Sequence, residues 1–206
     1  PDFSHLNAYL KTIADSVFMI HGAFDRHNAR SGSGFSIAPH LIVTNRHVIE
    51  SLHRQQITVV GKDVTYRVEQ LELDPINDLA VLHVNQTLRP LELGAFDFVE
   101  PGEQVLAIGF PTPDSDVHSE NLYISKGIVN SIRTIETCSE RVIFIDNKIG
   151  SGMSGGPLIN DLGEVVGVVT LSRYGARPSP RGGVLVESQP IALPIDLVRR
   201  YVTIAP

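Results

Sequence analysis

The chain has 206 residues, 42% hydrophobic and 19% charged, a balance ordinary for a folded protein and enough to bury a core. Lys and Arg number 17 against 23 Asp and Glu, and the net charge of -6 opposes phosphate backbones and argues against nucleic acid as a partner. No apolar run reaches the roughly 18 to 20 residues of a membrane span, and Cys138 is the only cysteine, so no disulfide can form within the chain. A single cysteine suits an oxidising compartment and the cytoplasm alike. A first residue of Pro1 rather than Met implies a processed or trimmed chain.

From Phe3 to Ala14 the apolar residues Phe3, Leu6, Leu10 and Ile13 recur at steps of three and four, the spacing of a short amphipathic helix. The period then changes. Short β-branched runs follow at Ser16–Ile20, Phe35–Ile37, Leu41–Thr44, Ile57–Val60, Val64–Leu73 and Leu79–Val84. A second set runs through Gln104–Phe110, Tyr123–Ile135, Arg141–Asp146, Val165–Leu171 and Gly183–Leu193. Gly, Pro, Asn and Asp separate most of them, and no helical pattern intervenes, which predicts all-β barrels or sandwiches over a parallel α/β sheet. Gly94–Glu103 divides the strands into two comparable sets and is the expected junction, giving barrel one at about 16–98 and barrel two at about 99–195. A helix is expected at Asp196–Val202.

Ser154 lies in Gly150-Ser-Gly-Met-Ser-Gly-Gly-Pro157, with four glycines around it. A serine that attacks a carbonyl needs an exposed hydroxyl and backbone N–H groups aimed at the developing oxyanion, and glycines let the chain turn tightly enough to present both. The bare Gly-x-Ser-x-Gly pattern also fits a surface turn, or the nucleophile elbow of α/β-hydrolases, whose order is Ser, acid, His. All eight histidines (His5, His21, His27, His40, His47, His53, His83, His118) precede Ser154, which excludes that order and leaves one with the histidine first.

His47 follows the strand Leu41–Thr44 and opens the turn Val48-Ile-Glu-Ser51. A general base at a strand end is held rigidly, as proton transfer requires. Asp78 stands just before the apolar strand through Val84, where a carboxylate can be partly buried and orient an imidazole. Asp74, ahead of Pro75, fits a turn aspartate instead.

Four segments together, Gly32-Ser-Gly-Phe-Ser-Ile37, Val43-Thr-Asn-Arg-His-Val-Ile49, Asn77-Asp-Leu-Ala-Val81 and Gly152-Met-Ser-Gly-Gly-Pro-Leu158, resemble the HtrA (Deg) branch of the trypsin-like peptidases. Lys126-Gly-Ile-Val129, Ile145-Asp-Asn-Lys-Ile149, Gly163-Glu-Val-Val-Gly167 and Ala192-Leu-Pro-Ile195 extend the likeness over nearly the whole chain from Ser16 onward. It implies two six-stranded antiparallel β-barrels of the chymotrypsin-like kind with the site in the cleft between them. It also implies a serine endopeptidase working through an acyl-enzyme, with His47, Asp78 and Ser154 as triad, and the N–H groups of Gly152 and Ser154 as oxyanion hole. By the same likeness Thr170, Leu171 and Ser172 form the edge to which a substrate adds as a strand. The specificity pocket would be bounded by Lys148, Ile149, Leu171 and Ser172, aliphatic in preference if Ile149 faces inward and acidic if Lys148 does.

Neither His-Glu-x-x-His nor paired cysteines occur, so the expected chemistry uses no metal and no organic cofactor. The expected partners are protein or peptide substrates. The resemblance implies a periplasmic or secreted setting, with the cytoplasm left open, and assembly as a monomer or as a trimer through Phe3–Ala14. Where trypsin-type enzymes carry an aspartate just before the serine, this chain has Met153, so a switch based on that carboxylate cannot operate. The sequence ends four residues beyond the expected last helix, so the PDZ domain common in such proteases is expected to be either trimmed away or lacking. The loop Ser172–Gly183, carrying Arg173, Arg177 and Arg181, reads as a solvated surface. Two competing readings are a catalytically silent binding or scaffold protein on the same fold and an esterase using the same triad.

Overall fold

The computed structural model describes residues 7–23, 29–50, 52–112, 121–135, 140–172, 176–178, 184–186 and 189–204. The expected Arg173 and Arg181, with Phe3 and Leu6 of the first helix, lie outside the described residues. The chain opens with helix α1 (Asn7–Ala14) and strands β1 (Val17–Ala23), β2 (Ala29–Ala38) and β3 (Leu41–Thr44), followed by the single turn α2 (Arg46–Ile49). Strands β4 (Ile57–Val60), β5 (Thr65–Tyr66), β6 (Val68–Leu73) and β7 (Ala80–Val84) complete the first sheet, in the order β5-β4-β1-β2-β3-β7-β6. Its two edges, β5 and β6, are separated in sequence by Arg67 alone, so one bent strand serves both edges and the sheet curls into a barrel.

The second half runs through β8 (Gln104–Gly109), β9 (Tyr123–Ile135), β10 (Glu140–Ile145), β11 (Pro157–Ile159), β12 (Val165–Ser172), β13 (Ala176–Pro178), β14 (Val184–Val186) and β15 (Gln189–Pro194), and ends in α3 (Asp196–Ile204). Six of these close into a barrel in the order β10-β15-β12-β11-β8-β9, while β13 and β14 pair as a separate hairpin. The expected all-β architecture with two barrels and short terminal helices is what the chain adopts. The strand expected over Gly183–Leu193 divides into β14 and β15, and the junction lies between β7 and β8.

Each barrel fills its own interior. Phe18, Ile20, Ile42, Val59, Leu82 and their neighbours fill the first, and Val105, Val129, Ile143, Leu158 and Val169 are among those filling the second. The outward faces of β2, β3 and β7 are apolar as well. Phe35, Ile37, Val43, Leu79 and Val81 join Leu106, Ile108, Val168 and Ile191 of the other barrel in one buried cluster, with Ile13 of α1 and Val198 of α3. The barrels are therefore welded by apolar contact, and the groove between them has a fixed shape.

A polar knot ties α3 to the loop before β7. The Asp74 carboxylate is fully buried; its Oδ1 accepts the N–H groups of Ile76 and Asn77, each at 2.9 Å. Its Oδ2 accepts Asn77 Nδ2 at 3.2 Å and Tyr201 Oη at 3.1 Å, and pairs with Arg200. Asp74 is thus a turn aspartate that also anchors the last helix. Replacing it with alanine leaves buried donors without acceptors, at about 1–3 kcal/mol for each such loss. Asp74→Ala should lower stability by about 3 kcal/mol in urea unfolding monitored by far-UV circular dichroism, with Tyr201→Phe costing about 1 kcal/mol.

Candidate active site

The pairing of β3 with β7 sets the first half of the site. Thr44 lies opposite Ala80 at one end of this antiparallel ladder, so the residues just after β3 and just before β7 are neighbours. His47 is three positions beyond Thr44 and Asp78 two positions before Ala80, which brings the two side chains together. Val48 and Ile49, buried in the first core, pin the turn that carries His47. Asn45, itself buried, donates through Nδ2 to the Asp78 carbonyl at 2.8 Å and fixes the other end.

His47 Nδ1 lies 2.7 Å from Asp78 Oδ2, and the His47 backbone N–H donates to Asp78 Oδ1 at 2.9 Å. Asp78 therefore holds both the ring and the backbone of the same residue. Thr170 of the second barrel adds a long hydrogen bond from Oγ1 to Asp78 Oδ2 at 3.4 Å. The side chains of His47 and Asp78 are 44% and 32% exposed, so the imidazole stays open on the side away from the acid.

Ser154 comes from the second barrel, 6% exposed, on the loop between β10 and β11. Two glycines make that loop possible. Gly152 has φ +91° and Gly155 φ +90°, conformations that favour glycine; a Cβ at Gly152 would collide with Phe110 O and Thr112 N, and at Gly155 with Ser33 O and Thr44 Oγ1. Within the loop the Met153 N–H donates to Gly150 O, the Gly155 N–H to Val169 O and the Gly156 N–H to Met153 O. The N–H groups of Gly152 and Ser154 have no backbone acceptor among the described residues.

Two residues outside the expected set hold this loop in place. Ser33, fully buried on β2, donates from Oγ to Gly152 O at 2.8 Å and receives the Phe110 N–H on the same oxygen at 2.8 Å. Its own N–H donates to Ser154 O at 2.8 Å. The Thr112 N–H donates to Ser151 O at 2.6 Å, turning the Ser151–Gly152 peptide so that its N–H faces the opposite way. Ser33 stands in the Gly32-Ser-Gly34 motif, the one local signal that could have singled it out. Thr112 has none. Met153 is 1% exposed and packed in the second core with Val105, Leu158 and Val169, so apolar burial anchors the residue beside the serine.

Ser154, His47, Gly152, Ser151, Val48, Thr112, Leu171, Ser31, Arg30 and His21 line a single cleft of about 850 Å³. Of the residues expected to bind substrate, Leu171 borders this cleft, whereas Lys148 and Ile149 line a second cavity of about 440 Å³ with Pro111, Tyr123, Gly150 and Met153. Thr170 and Ser172 belong to β12, and the side chain of Ser172 lies outside the described residues. Among the described residues no group of three or more His, Cys, Asp or Glu side chains is placed to hold a metal ion, and no helix is long and apolar enough to cross a membrane. A hydroxyl beside unengaged N–H donors, in the same cleft as an imidazole braced by a carboxylate, is an arrangement able to perform nucleophilic acyl transfer.

Residues 32–168 match the model of the trypsin-like peptidase domain. Over 151 residues the chain is 36% identical to the mitochondrial serine protease HTRA2 of Bos taurus, a match covering 68% of this chain and 31% of that protein. It is 31% identical over 182 residues to the serine protease HTRA1 of Xenopus laevis, covering 84% of this chain and 36% of the relative. The chain thus spans about a third of the length of these curated relatives. Among solved structures, the active form of the Rv3671c protease from M. tuberculosis shares the fold with a TM-score of 0.76 at 24% identity, over 98% of this chain and 86% of that one.

Ser33→Ala removes the hydroxyl that orients Gly152 and leaves the Phe110 N–H unpaired. Loss of a buried hydrogen bond of this kind is worth about 1–1.5 kcal/mol. Reaction of Ser154 with a fluorophosphonate probe should slow by about tenfold, the kinetic equivalent of that energy, while Ser33→Thr, which keeps the hydroxyl, should recover part of the rate.

Proposed function

This chain belongs to the trypsin-like peptidase family, within its HtrA branch, and from that premise we propose that it is a serine endopeptidase with His47, Asp78 and Ser154 as its catalytic triad. The observation that carries the reading is the His47–Asp78 pair at 2.7 Å, set on one barrel and sharing the 850 Å³ cleft with a serine whose loop presents two N–H groups without a backbone acceptor among the described residues.

His47 takes the proton of the Ser154 hydroxyl as that oxygen attacks the scissile carbonyl. Asp78 fixes the ring so that Nδ1 keeps its proton and Nε2 accepts, and it stabilises the imidazolium that results. The Gly152 and Ser154 N–H groups receive the oxyanion of the tetrahedral intermediate. His47 then protonates the leaving amine, and water, activated by the same imidazole, releases the acyl group from Ser154. Asn45 and Thr170 act through Asp78, and Ser33 and Thr112 act through the oxyanion donors.

The substrate is a protein or peptide in extended form. Among the described residues Thr170, Leu171 and Ser172 pair only with β15, because β11 reaches no further along β12 than Val168. The edge they leave is suited to strand addition, which binds main chain rather than any one side chain. This edge favours peptide over simple ester substrates. An aliphatic preference at the cleavage site would be carried by Ile149, once substrate links its cavity to the cleft.

Casein cleavage, followed by mass spectrometry of the products, tests the assignment. Ser154→Ala should lower kcat by about a millionfold and Asp78→Asn by about ten-thousandfold, the scale of losses for triads of this kind. A Ser154→Ala protein that cuts at the wild-type rate would remove the serine from the mechanism. Wild-type protein that neither cuts nor labels with a fluorophosphonate would favour the silent scaffold.

A further inference from the structure

The cleft around Ser154 is lined from both barrels. Leu171 lines it from β12, and Ser31, Arg30 and His21 line it from the β1–β2 hairpin. Arg30 is the one permanently charged side chain among the described residues lining the cleft, and no acidic side chain among them lines it. The chain as a whole carries a net charge of -6, so this cation is opposite in sign to the chain's overall charge.

The guanidinium is not free to swing away. Arg30 is half-buried, and its Nη1 donates to the carbonyl of His47, the general base. That bond occupies one of five N–H donors, and the rest have no partner among the described residues. Arg30 is thus a fixed donor array beside the reacting centre.

The strand that carries it is shaped to receive the other half of a substrate. Ser33 on β2 directs its N–H to Ser154 O and its C=O to Thr44 Oγ1, both away from β1. The register of β1 with β2 is unbroken from Met19↔Ser33 to His21↔Ser31, so by the two-residue alternation of an antiparallel ladder the N–H and C=O of Ser31 also point away from β1. Strand β3 pairs with β2 only from Gly34 onward, which leaves Ser31 unpaired on the cleft side among the described residues. Arg30 lies three residues from Ser33, about 10 Å along a strand. Two or three residues of extended substrate beyond the cut bond cover that distance.

We propose that Arg30 forms a carboxylate-binding subsite on the leaving-group side, so that the enzyme prefers substrates with Asp or Glu within the two residues after the cleaved bond. The inference rests on the triad reading, and it adds a substrate class to that site. A half-exposed ion pair is worth up to about 1 kcal/mol, or roughly a fivefold preference.

The test uses matched fluorogenic peptides that differ only by Glu or Gln at the first and second positions after the cut. Wild-type protein should show a Glu/Gln ratio of kcat/KM of about five, falling toward one in 0.5 M NaCl as the pair is screened. Arg30→Gln should bring the ratio to one and Arg30→Glu should invert it, while Arg30→Lys should keep most of it. The same peptides are titrated against Ser154→Ala by fluorescence anisotropy, where the affinity ratio should follow the same order. A wild-type ratio near one in both assays, or a ratio that survives Arg30→Gln, overturns the subsite. Failure of the triad reading looks different: the wild type leaves the peptides uncut and unlabelled by fluorophosphonate, and the anisotropy ratio still decides whether Arg30 selects carboxylates.

Discussion

The hydrogen bonds of Ser33 are the constraint on which the rest of the site depends. One buried residue of the first barrel bonds to Gly152 O, to Ser154 O and to the Phe110 N–H, all on the second. In the proposed triad the base and its acid belong to one barrel and the nucleophile to the other, so catalytic geometry would exist only if the two are registered to a fraction of an ångström. The apolar cluster between the barrels supplies attraction without direction. Ser33 supplies direction: its N–H and Oγ define where the serine loop lies relative to the strand that leads to His47. Gly155 follows from this, since its positive φ and missing Cβ let the loop back directly onto Ser33 O.

Met153 gives the same loop a second kind of anchor. An aspartate at that position would have to be matched by a cation before it could be buried, and a supply of that cation can be made conditional. A methionine needs only an apolar space. With Met153 1% exposed among Val105, Leu158 and Val169, burial holds the loop by about 1.5–3 kcal/mol of transfer energy whatever the state of the chain's ends. The Thr112–Ser151 bond then fixes the orientation of the oxyanion-side peptide.

The sequence reveals most where local pattern and structure coincide. The strands Leu41–Thr44 and Ile57–Val60 read correctly to the residue because β-branched runs there are bounded by turn-formers, and His47 and Asp78 stand out because strand ends are where rigid catalytic groups sit. Strand β2 is legible only in its second half. Its first half, Ala29–Gly34, is rich in Gly and Ser, and is strand because β1 pairs with it rather than by propensity. The short β11 was hidden for the same reason, being held between β8 and β12 at Pro157–Ile159. Ser33 and Thr112 lie deeper still. The Ser33–Gly152 bond spans 119 residues, and no periodicity of 2 or 3.6 records a contact at that distance. The pocket shows the same limit: Lys148 and Ile149 lie close to Ser154 in sequence, yet the serine loop turns so tightly that they line a cavity apart from the one Leu171 borders.

The two ends of the cleft follow from how each barrel ends its pairing. Strand β12 outruns β11 at Thr170, and β2 outruns β3 before Gly34; among the described residues both leave main-chain groups without a strand partner, one on each barrel. An unpaired edge is a hazard when it faces solvent broadly, since it invites other strands. Here both edges are short and lie between the two packed barrels, a setting that on the proposed reading suits an extended chain threaded through the groove. A peptide bond carried along that path would meet the proposed nucleophile where both barrels line the cleft. On the proposed reading, affinity for main chain would be general, and selectivity would fall to the few side chains that line the cleft from either barrel, Leu171 on β12 and Arg30 on β2.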